Sequence, residues 1–181
     1  MKTWINQKTI GRLALLSTVV FIVFVLTVLP SEAQKSTDMG LLVSPDTLFH
    51  YTASRLYEIA QSYGMIGRQF YVRQRFTFDL IWPVIYTSFT FFTTLYFIYK
   101  LDRIRYARFL LSFSVLAFVF DLLENISLSI VMTRYPKETF LIDHLAGFMT
   151  AMKWVTLSLS FLMLFILIYD YLRGIFSNAK K

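Results

Sequence analysis

The sequence predicts an all-α fold, a polytopic membrane four-helix bundle with an extra amphipathic helix on the outer side. Of the 181 residues, 56% are hydrophobic and only 16% are charged, whereas soluble domains carry about 25% charged residues. The apolar residues form four blocks, each close to the length of about 20 residues that crosses a bilayer. These blocks are continuously apolar, without the alternation that marks the strands of a membrane β-barrel.

A single integral membrane domain is expected, with spans at about residues 10–30, 76–100, 109–133 and 144–171. The first span has two interpretations. A basic segment precedes it, and the small residues Ser31 and Ala33 follow it, as at the cleavage site of a secretory signal peptide. Its apolar run, Leu13–Leu29, is longer than the 7–15 residues of a signal, which favours a retained helix. Both interpretations of residues 1–33 stay open.

Between the first two spans, residues 45–63 predict the amphipathic helix. Ser44 is suited to cap it, Pro45 to occupy its first turn, and Asp46 to complement the helix dipole. Apolar residues then recur on one face at helical spacing. They are Leu48, Leu56, Ile59, Ala60 and Tyr63. The helix would lie on the membrane surface or cap the bundle, either as a lid over a site or simply as packing.

The second span contains Asp79 and Pro83. Because proline has no backbone N–H, the carbonyl group of residue 79 loses its helical partner. Arg75 lies one turn before Asp79 and can neutralise it. Angular steps of 100° place Arg68, Arg75 and Tyr86 on the same stripe as Asp79.

The third and fourth spans carry charge at their centres. Asp121, Glu124 and Asn125 share one face of the third span, and Lys153 shares a face of the fourth span with Thr156. The two spans run in opposite directions. Glu124 and Lys153 each lie roughly 13 Å below the same surface, at 1.5 Å of rise per residue. The sequence therefore predicts an ion pair between them.

Together these positions predict a buried polar site between the last three spans. Its members are Asp79, Tyr86, Asp121, Glu124, Asn125, Lys153 and Thr156, with Arg68 and Arg75 at the outer rim. Three carboxylates face two cations, and neighbouring carboxylates at low dielectric rarely both ionise. Asp121 is therefore expected to hold or share a proton, in a coupled titration. Ionisable groups inside a membrane are functional candidates, although a polar staple between helices is the competing interpretation.

The predicted function is non-enzymatic: a binding, transport or accessory role that involves a proton, a cation or a lipid headgroup. One alternative is an intramembrane hydrolase or transferase that uses Asp121 and Glu124; the other is a purely structural subunit of a membrane complex. No catalytic residues are assigned. The chain has no cysteine, which excludes disulfides and thiol chemistry. Since His50 and His144 do not converge on the carboxylates, no metal site and no cofactor are expected.

Basic residues flank the spans and predict the orientation. Most lie on one side: Lys2, Lys8, Arg12, Lys100, Arg103, Arg105, Arg108, Arg173, Lys180 and Lys181. By the positive-inside rule, both termini are cytoplasmic, in a bacterial inner (plasma) membrane. Arg68, Arg73 and Arg75 on the other side argue against this orientation. The net charge of +7 is expected to meet anionic lipid headgroups rather than nucleic acid. A homo-oligomer or a membrane partner is the candidate protein contact.

Four short motifs carry a resemblance. They are Tyr63-Gly64-x-x-Gly67-Arg68-x-x-Tyr71, Asp79-x-x-x-Pro83-x-x-Tyr86, Asp121-x-x-Glu124-Asn125 and Lys153-Trp154. Over roughly Tyr63 to Thr156, this pattern resembles a family of uncharacterised small multi-span bacterial membrane proteins. The resemblance implies a multi-span fold and supports the choice of site positions, and it implies no activity, cofactor or substrate.

Overall fold

The computed structural model describes residues 6–178, and within that range the chain is helical with no strand. Its α-helices are α1 (Gln7–Val23), α2 (Leu29–Asp38), α3 (Ala53–Ser62), α4 (Gly64–Arg75), α5 (Phe78–Lys100), α6 (Ala107–Arg134) and α7 (Ile142–Asn178). The predicted all-α bundle is confirmed. Lys2, Lys180 and Lys181, which contributed to the predicted orientation, lie outside the described residues.

Four continuous helical stretches are long and apolar enough, by length and composition, to cross a membrane. They are Gln7–Asp38, Gly64–Lys100, Ile104–Arg134 and Ile142–Ser177. The first joins α1 to α2 through a π-helical turn at Phe24–Val28. All four extend beyond the predicted bounds of 10–30, 76–100, 109–133 and 144–171. Apolar blocks mark only the part of a helix that fits the hydrocarbon layer, and these helices continue through the polar residues on either side.

The four spans alternate in direction. Thr18 lies beside Thr93, Tyr86 beside Asp121, and Ser114 beside Ser160. Both described ends of the chain and the 101–106 turn therefore lie at one end of the bundle, which we call the terminal end. Residues 39–63 and the 135–141 turn lie at the other end, which we call the loop end. The third and fourth spans pack most extensively, and the first packs mainly against the second.

Stacked aromatic rings join the first span to the second. The rings of Phe21 and Phe24 lie 5.8 and 5.5 Å from the ring of Trp82, and Phe21 stacks on Phe89 at 4.4 Å. The first span thus contributes apolar packing on one side of the bundle, as the absence of charged residues from Leu13–Leu29 predicts.

The amphipathic helix is shorter than predicted. Residues 45–63 were expected to form one helix, but Pro45–Thr47 makes a single 3₁₀ turn and the α-helix begins only at Ala53. Thr52 is its N-cap, and the Thr52 hydroxyl accepts from the backbone N–H of Arg55 at 3.3 Å. The predicted cap, Ser44, does precede the 3₁₀ turn, but its hydroxyl donates to the carboxylate of Asp46 rather than capping the backbone, and the turn ends at Thr47.

Helix α3 still buries an apolar face at the loop end. Leu56, Ile59 and Ala60 pack with Leu128 of α6 and Ala146 of α7 in one apolar core. This core covers the bundle's polar interior from one side. Residues 41–52, which we call the docking segment, lie between α2 and α3 and contact the bundle directly.

Gly147 lets the docking segment approach α7 closely. A Cβ at position 147 would lie 2.6 Å from the backbone oxygen of Tyr51. Real Cβ atoms do not come so near a backbone atom, so the absence of a side chain there is what allows the segment to cross the helix.

Substituting Gly147 with alanine should displace the docking segment. We expect Gly147→Ala to destabilise the folded protein by about 1–3 kcal/mol, the usual cost of overpacking, despite alanine's higher helix propensity. Thermal unfolding in detergent micelles measures it. Gly174→Ala is the matched control, because Gly174 lies on the same helix and a Cβ added there would meet nothing within 4 Å. Equal melting temperatures for the two variants would contradict the prediction.

Candidate functional site

Arg75 lies at the centre of the polar interior. It was predicted at the outer rim, but the residue is only 5% exposed. Its Nη1 lies 2.9 Å from a carboxylate oxygen of Asp46, and its Nη2 lies 2.8 Å from one of Asp79. The guanidinium also stacks over the ring of Tyr71, 4.4 Å from the centroid. The rim assignment is therefore corrected: the docking segment covers Arg75, which sequence periodicity could not show.

Asp46 joins the polar interior, although the sequence placed it only at a helix start. Its carboxylate contacts Arg75, and its backbone carbonyl accepts from Lys153 Nζ at 3.2 Å and from Trp154 Nε1 at 3.1 Å. Burial opposes ionisation, but the positive charges of Arg75 and Lys153 hold the pKa of Asp46 well below its usual range. Asp46 therefore brings a negative charge from the docking segment into the bundle.

The predicted ion pair between Glu124 and Lys153 is present. Glu124 is fully buried, and it also accepts a hydrogen bond from the Thr150 hydroxyl. The Tyr51 hydroxyl lies 3.0 Å from that of Thr150. Since Thr150 has one proton and gives it to Glu124, Tyr51 is the donor in this contact. Thr150 lies three residues before Lys153, and this helical spacing could have placed it in the predicted site.

Asp121 has neutral partners. Its carboxylate accepts from the Tyr86 hydroxyl at 3.0 Å and from Asn125 Nδ2 at 3.1 Å. Within the described part of the chain, every ion pair of the buried core belongs to Arg75 or Lys153, and none includes Asp121. Among the carboxylates of Asp46, Asp79, Asp121 and Glu124, only that of Asp121 contacts no cation of residues 6–178.

Asn125 joins these groups into one network. Its Nδ2 donates to the backbone carbonyl of Asp79 at 2.9 Å as well as to Asp121, and its Oδ1 accepts from Arg75 at 3.4 Å. The Asp79 carbonyl is the acceptor that Pro83 leaves without a helical donor. An amide on α6 thus satisfies a backbone group that the sequence predicted to be free on α5.

We call the connected residues the polar cluster: Asp46, Arg75, Asp79, Tyr86, Asp121, Glu124, Asn125 and Lys153. It holds four carboxyl groups and two cationic side chains, so its net charge with all groups ionised is −2. Uncompensated charge at low dielectric is costly. The arrangement therefore has the capacity to take up positive charge, as protons or as a cation.

Two predicted residues lie apart from the polar cluster. Thr156 is buried, but its hydroxyl donates to the backbone carbonyl of Met152 at 2.7 Å, on its own helix. Arg68 donates to the backbone carbonyl of Ala60 at 2.9 Å and stacks over the ring of Tyr135. Among residues 6–178, no group of three or more His, Asp or Glu side chains has the arrangement of a metal site.

Comparison of the chain with known protein families, with curated proteins and with solved structures found no match. The resemblance carried by the four short motifs therefore stays a prediction. The fold defines the class of the protein, which is a multi-pass integral membrane protein built from four apolar helical spans. Within that class, the polar cluster distinguishes this chain from a bundle packed by apolar side chains alone.

Removing one member of the Glu124–Lys153 pair should cost more than removing both. Glu124→Gln leaves a buried ammonium without its anion, which we expect to destabilise the fold by about 3–5 kcal/mol. The double variant Glu124→Gln/Lys153→Met should cost less than Glu124→Gln alone, because it leaves no unpaired ammonium in the core. Thermal and denaturant unfolding in micelles measure the free energy of unfolding of Glu124→Gln, of Lys153→Met and of the double variant.

Lys35→Gln is the matched control for this cycle. Lys35 pairs with Glu32 at 2.6 Å, but its side chain is 57% exposed. An exposed pair contributes only about 0–1 kcal/mol. A Glu124→Gln variant as stable as Lys35→Gln would show that the buried pair does not hold the helices together.

Proposed function

We propose that this is a non-enzymatic integral membrane protein whose polar core, between the last three spans, binds a proton, a cation or a lipid headgroup. The role is one of binding, transport or accessory function in the membrane. The observation that carries the proposal is the excess of carboxylates in the polar cluster, with Asp121 outside every ion pair of the described residues. In a transport role, four spans would act with a second copy or a membrane partner.

The energetics of Asp121 support a bound proton. A charged side chain at the bilayer centre costs about 2.5–3.5 kcal/mol on insertion scales. Tyr86 and Asn125 stabilise the carboxylate by two neutral hydrogen bonds, whereas Glu124 and Asp79 each contact a cation. Protonation of Asp121 removes one of the two excess charges without moving any helix. Of the ways to offset the excess charge of the polar cluster, protonation of Asp121 therefore requires the smallest change in structure.

A chain of hydroxyl groups supports proton exchange between the core and the loop end. It passes from Tyr51 through Thr150 to Glu124. The contacts of Arg75 and Asn125 hold Asp121 in place without relaying a proton, because a guanidinium and an amide keep their protons. A cleft at the loop end reaches Asp46, Arg75 and Asp79. A core built only to hold helices together has no need of such an opening.

The contacts of the carboxylates favour binding over hydrolysis. In an aspartyl hydrolase, two carboxyl groups share one water. Here Asp121 accepts from Tyr86 and Asn125, whereas Glu124 accepts from Thr150 and pairs with Lys153. Each carboxylate is committed to its own partners, so the pair is arranged for holding charge rather than for activating a shared water.

We further propose a bacterial inner membrane with both termini in the cytoplasm. The terminal end carries seven basic side chains of the described residues: Lys8, Arg12, Lys100, Arg103, Arg105, Arg108 and Arg173. The loop end also carries seven: Lys35, Arg55, Arg68, Arg73, Arg75, Arg134 and Lys137. Three of these, Lys35, Arg55 and Arg75, are held in ion pairs, whereas Arg103 is the one paired base of the terminal end among the described residues, which favours the proposed orientation. A cavity of about 610 Å³ beside Arg105 and Arg108 would face anionic headgroups of the cytoplasmic leaflet.

Infrared difference spectroscopy of the purified protein tests the proton site. We expect a protonated carboxyl band at neutral pH that disappears in Asp121→Asn and persists in Glu124→Gln. The reason is that Asp121 lacks a cation and Glu124 has one. Deuterium exchange identifies the band by its shift.

Asp102→Asn serves as the control for loss of a carboxyl group, because Asp102 is exposed in the turn at the terminal end. The proposal fails if wild type shows no such band, and if Asp121→Asn and Glu124→Gln only unfold at lower temperature. The role of the polar cluster would then be to hold the helices together.

Single-cysteine labelling tests the orientation without background, since the chain has no cysteine of its own. We expect Gln61→Cys at the loop end to react with a membrane-impermeant maleimide on intact bacterial cells, and Ser177→Cys at the terminal end to react only after lysis. Both positions are exposed and uncharged, so the substitutions leave the charge balance unchanged. The reverse labelling pattern would invert the proposed orientation.

A further inference from the structure

The loop-end cleft lies between α2, the docking segment and the junction of α4 with α5. Its volume is about 290 Å³, just below the range of about 300–1,000 Å³ for ligand pockets. Asp46, Arg75 and Asp79 form its polar base, and Leu29, Leu42 and Phe78 belong to its apolar wall. The cleft therefore suits a small polar group that is attached to an apolar chain.

The base of the cleft has unmet hydrogen-bonding capacity. Arg75 is only 5% exposed, and its Nε–H has no hydrogen-bond partner among the described residues. Asp79 Oδ2 contacts Arg75 Nη2 at 2.8 Å without hydrogen-bond geometry. Asp46, Asp79 and Arg75 at the base leave a net charge of −1, and the third carboxylate of the cleft, that of Glu32, is paired with Lys35 at 2.6 Å. The cleft therefore attracts one positive charge.

The cleft lies at the level of lipid headgroups. The first span, Gln7–Asp38, has 32 residues and a length of about 48 Å, whereas the hydrocarbon core of a bilayer is about 30 Å thick. Its apolar block ends at Leu29. Ala33, Ser36 and Thr37, which line the cleft, follow that block and so lie beside headgroups rather than acyl chains.

These features select among headgroups. A primary ammonium provides N–H donors for Asp46 and Asp79 and offsets the charge of −1. The phosphate beside it can accept from the NH₂ group of the Gln74 amide, whose oxygen already accepts from Ser36 at 3.2 Å. A quaternary ammonium has no N–H to donate, and a glycerol headgroup brings no positive charge.

We propose that the loop-end cleft binds the headgroup of a membrane phospholipid that carries a primary ammonium, of the phosphatidylethanolamine class. This inference rests on the proposed function, since it names the ligand of the same polar core. The ammonium lies against Asp46 and Asp79, the phosphate faces Gln74, and the acyl chains follow Leu42 and Phe78 into the bilayer.

Native mass spectrometry of the full-length protein in detergent tests the proposal. The probes are phosphatidylethanolamine, phosphatidylcholine and phosphatidylglycerol with identical acyl chains. We expect wild type to bind phosphatidylethanolamine about ten-fold more tightly than phosphatidylcholine, the effect of one charge-assisted hydrogen bond or more. Ala33→Trp, which fills the mouth of the cleft without touching the polar cluster, should reduce that preference to about two-fold or less.

Ser31→Trp is the matched control, because Ser31 is exposed on the same helix and does not line the cleft. It should keep the wild-type preference. Equal binding of the two lipids by wild type, or an unchanged preference in Ala33→Trp, overturns the proposal. Competition by water-soluble glycerophosphoethanolamine at the same concentration as the lipid overturns a membrane lipid as the source of the headgroup.

The carboxyl band of Asp121, recorded on the same preparations, separates this inference from the proposed function. A band without any lipid preference overturns the lipid site alone. A lipid preference without a band supports the lipid site and removes the proton from the proposed function. Retention of the band in Ala33→Trp also shows that this variant has folded.

Discussion

The two ion pairs of Arg75 constrain the rest of the structure. A guanidinium inside an apolar bundle is tolerated only when anions and hydrogen bonds surround it. Asp79 supplies one anion from the same span, and the second comes from Asp46 in the docking segment. Burying Arg75 therefore fixes the docking segment over the core, and Asn125 extends the same network to α6.

The contacts between spans follow from helical geometry, and these the sequence predicts well. A fixed rise and angle per residue place Glu124 level with Lys153, Arg75 one turn from Asp79, and Tyr86 near Asp121. All three contacts occur in the structure. Apolar blocks locate the four spans by the same reasoning, although their ends extend further because polar turns continue a helix beyond the hydrocarbon layer.

Contacts outside the spans could not be predicted from the sequence. Ser44 and Asp46 match a helix start, but the attraction of Asp46 to Arg75 prevails over that local preference, and α3 begins at Ala53. Helical periodicity also predicts which face of a helix a residue lies on, but it does not predict which group the side chain contacts. Thr156 lies on the correct face of α7, yet its hydroxyl bonds to its own backbone, as threonine often does in a helix. Tertiary pairing, and not local pattern, decides these positions.

The contacts of Asp46 with α7 set the order in which the protein can be assembled. The Asp46 carbonyl bonds Lys153 and Trp154, which are made 107 and 108 residues later in synthesis. Until α7 has entered the membrane, Glu124 has no cation and the docking segment has no helix to cross at Gly147. The first three spans therefore form an incomplete intermediate during biogenesis. Insertion of the last helix pairs Glu124 with Lys153 and gives the docking segment its contacts with α7 in a single step.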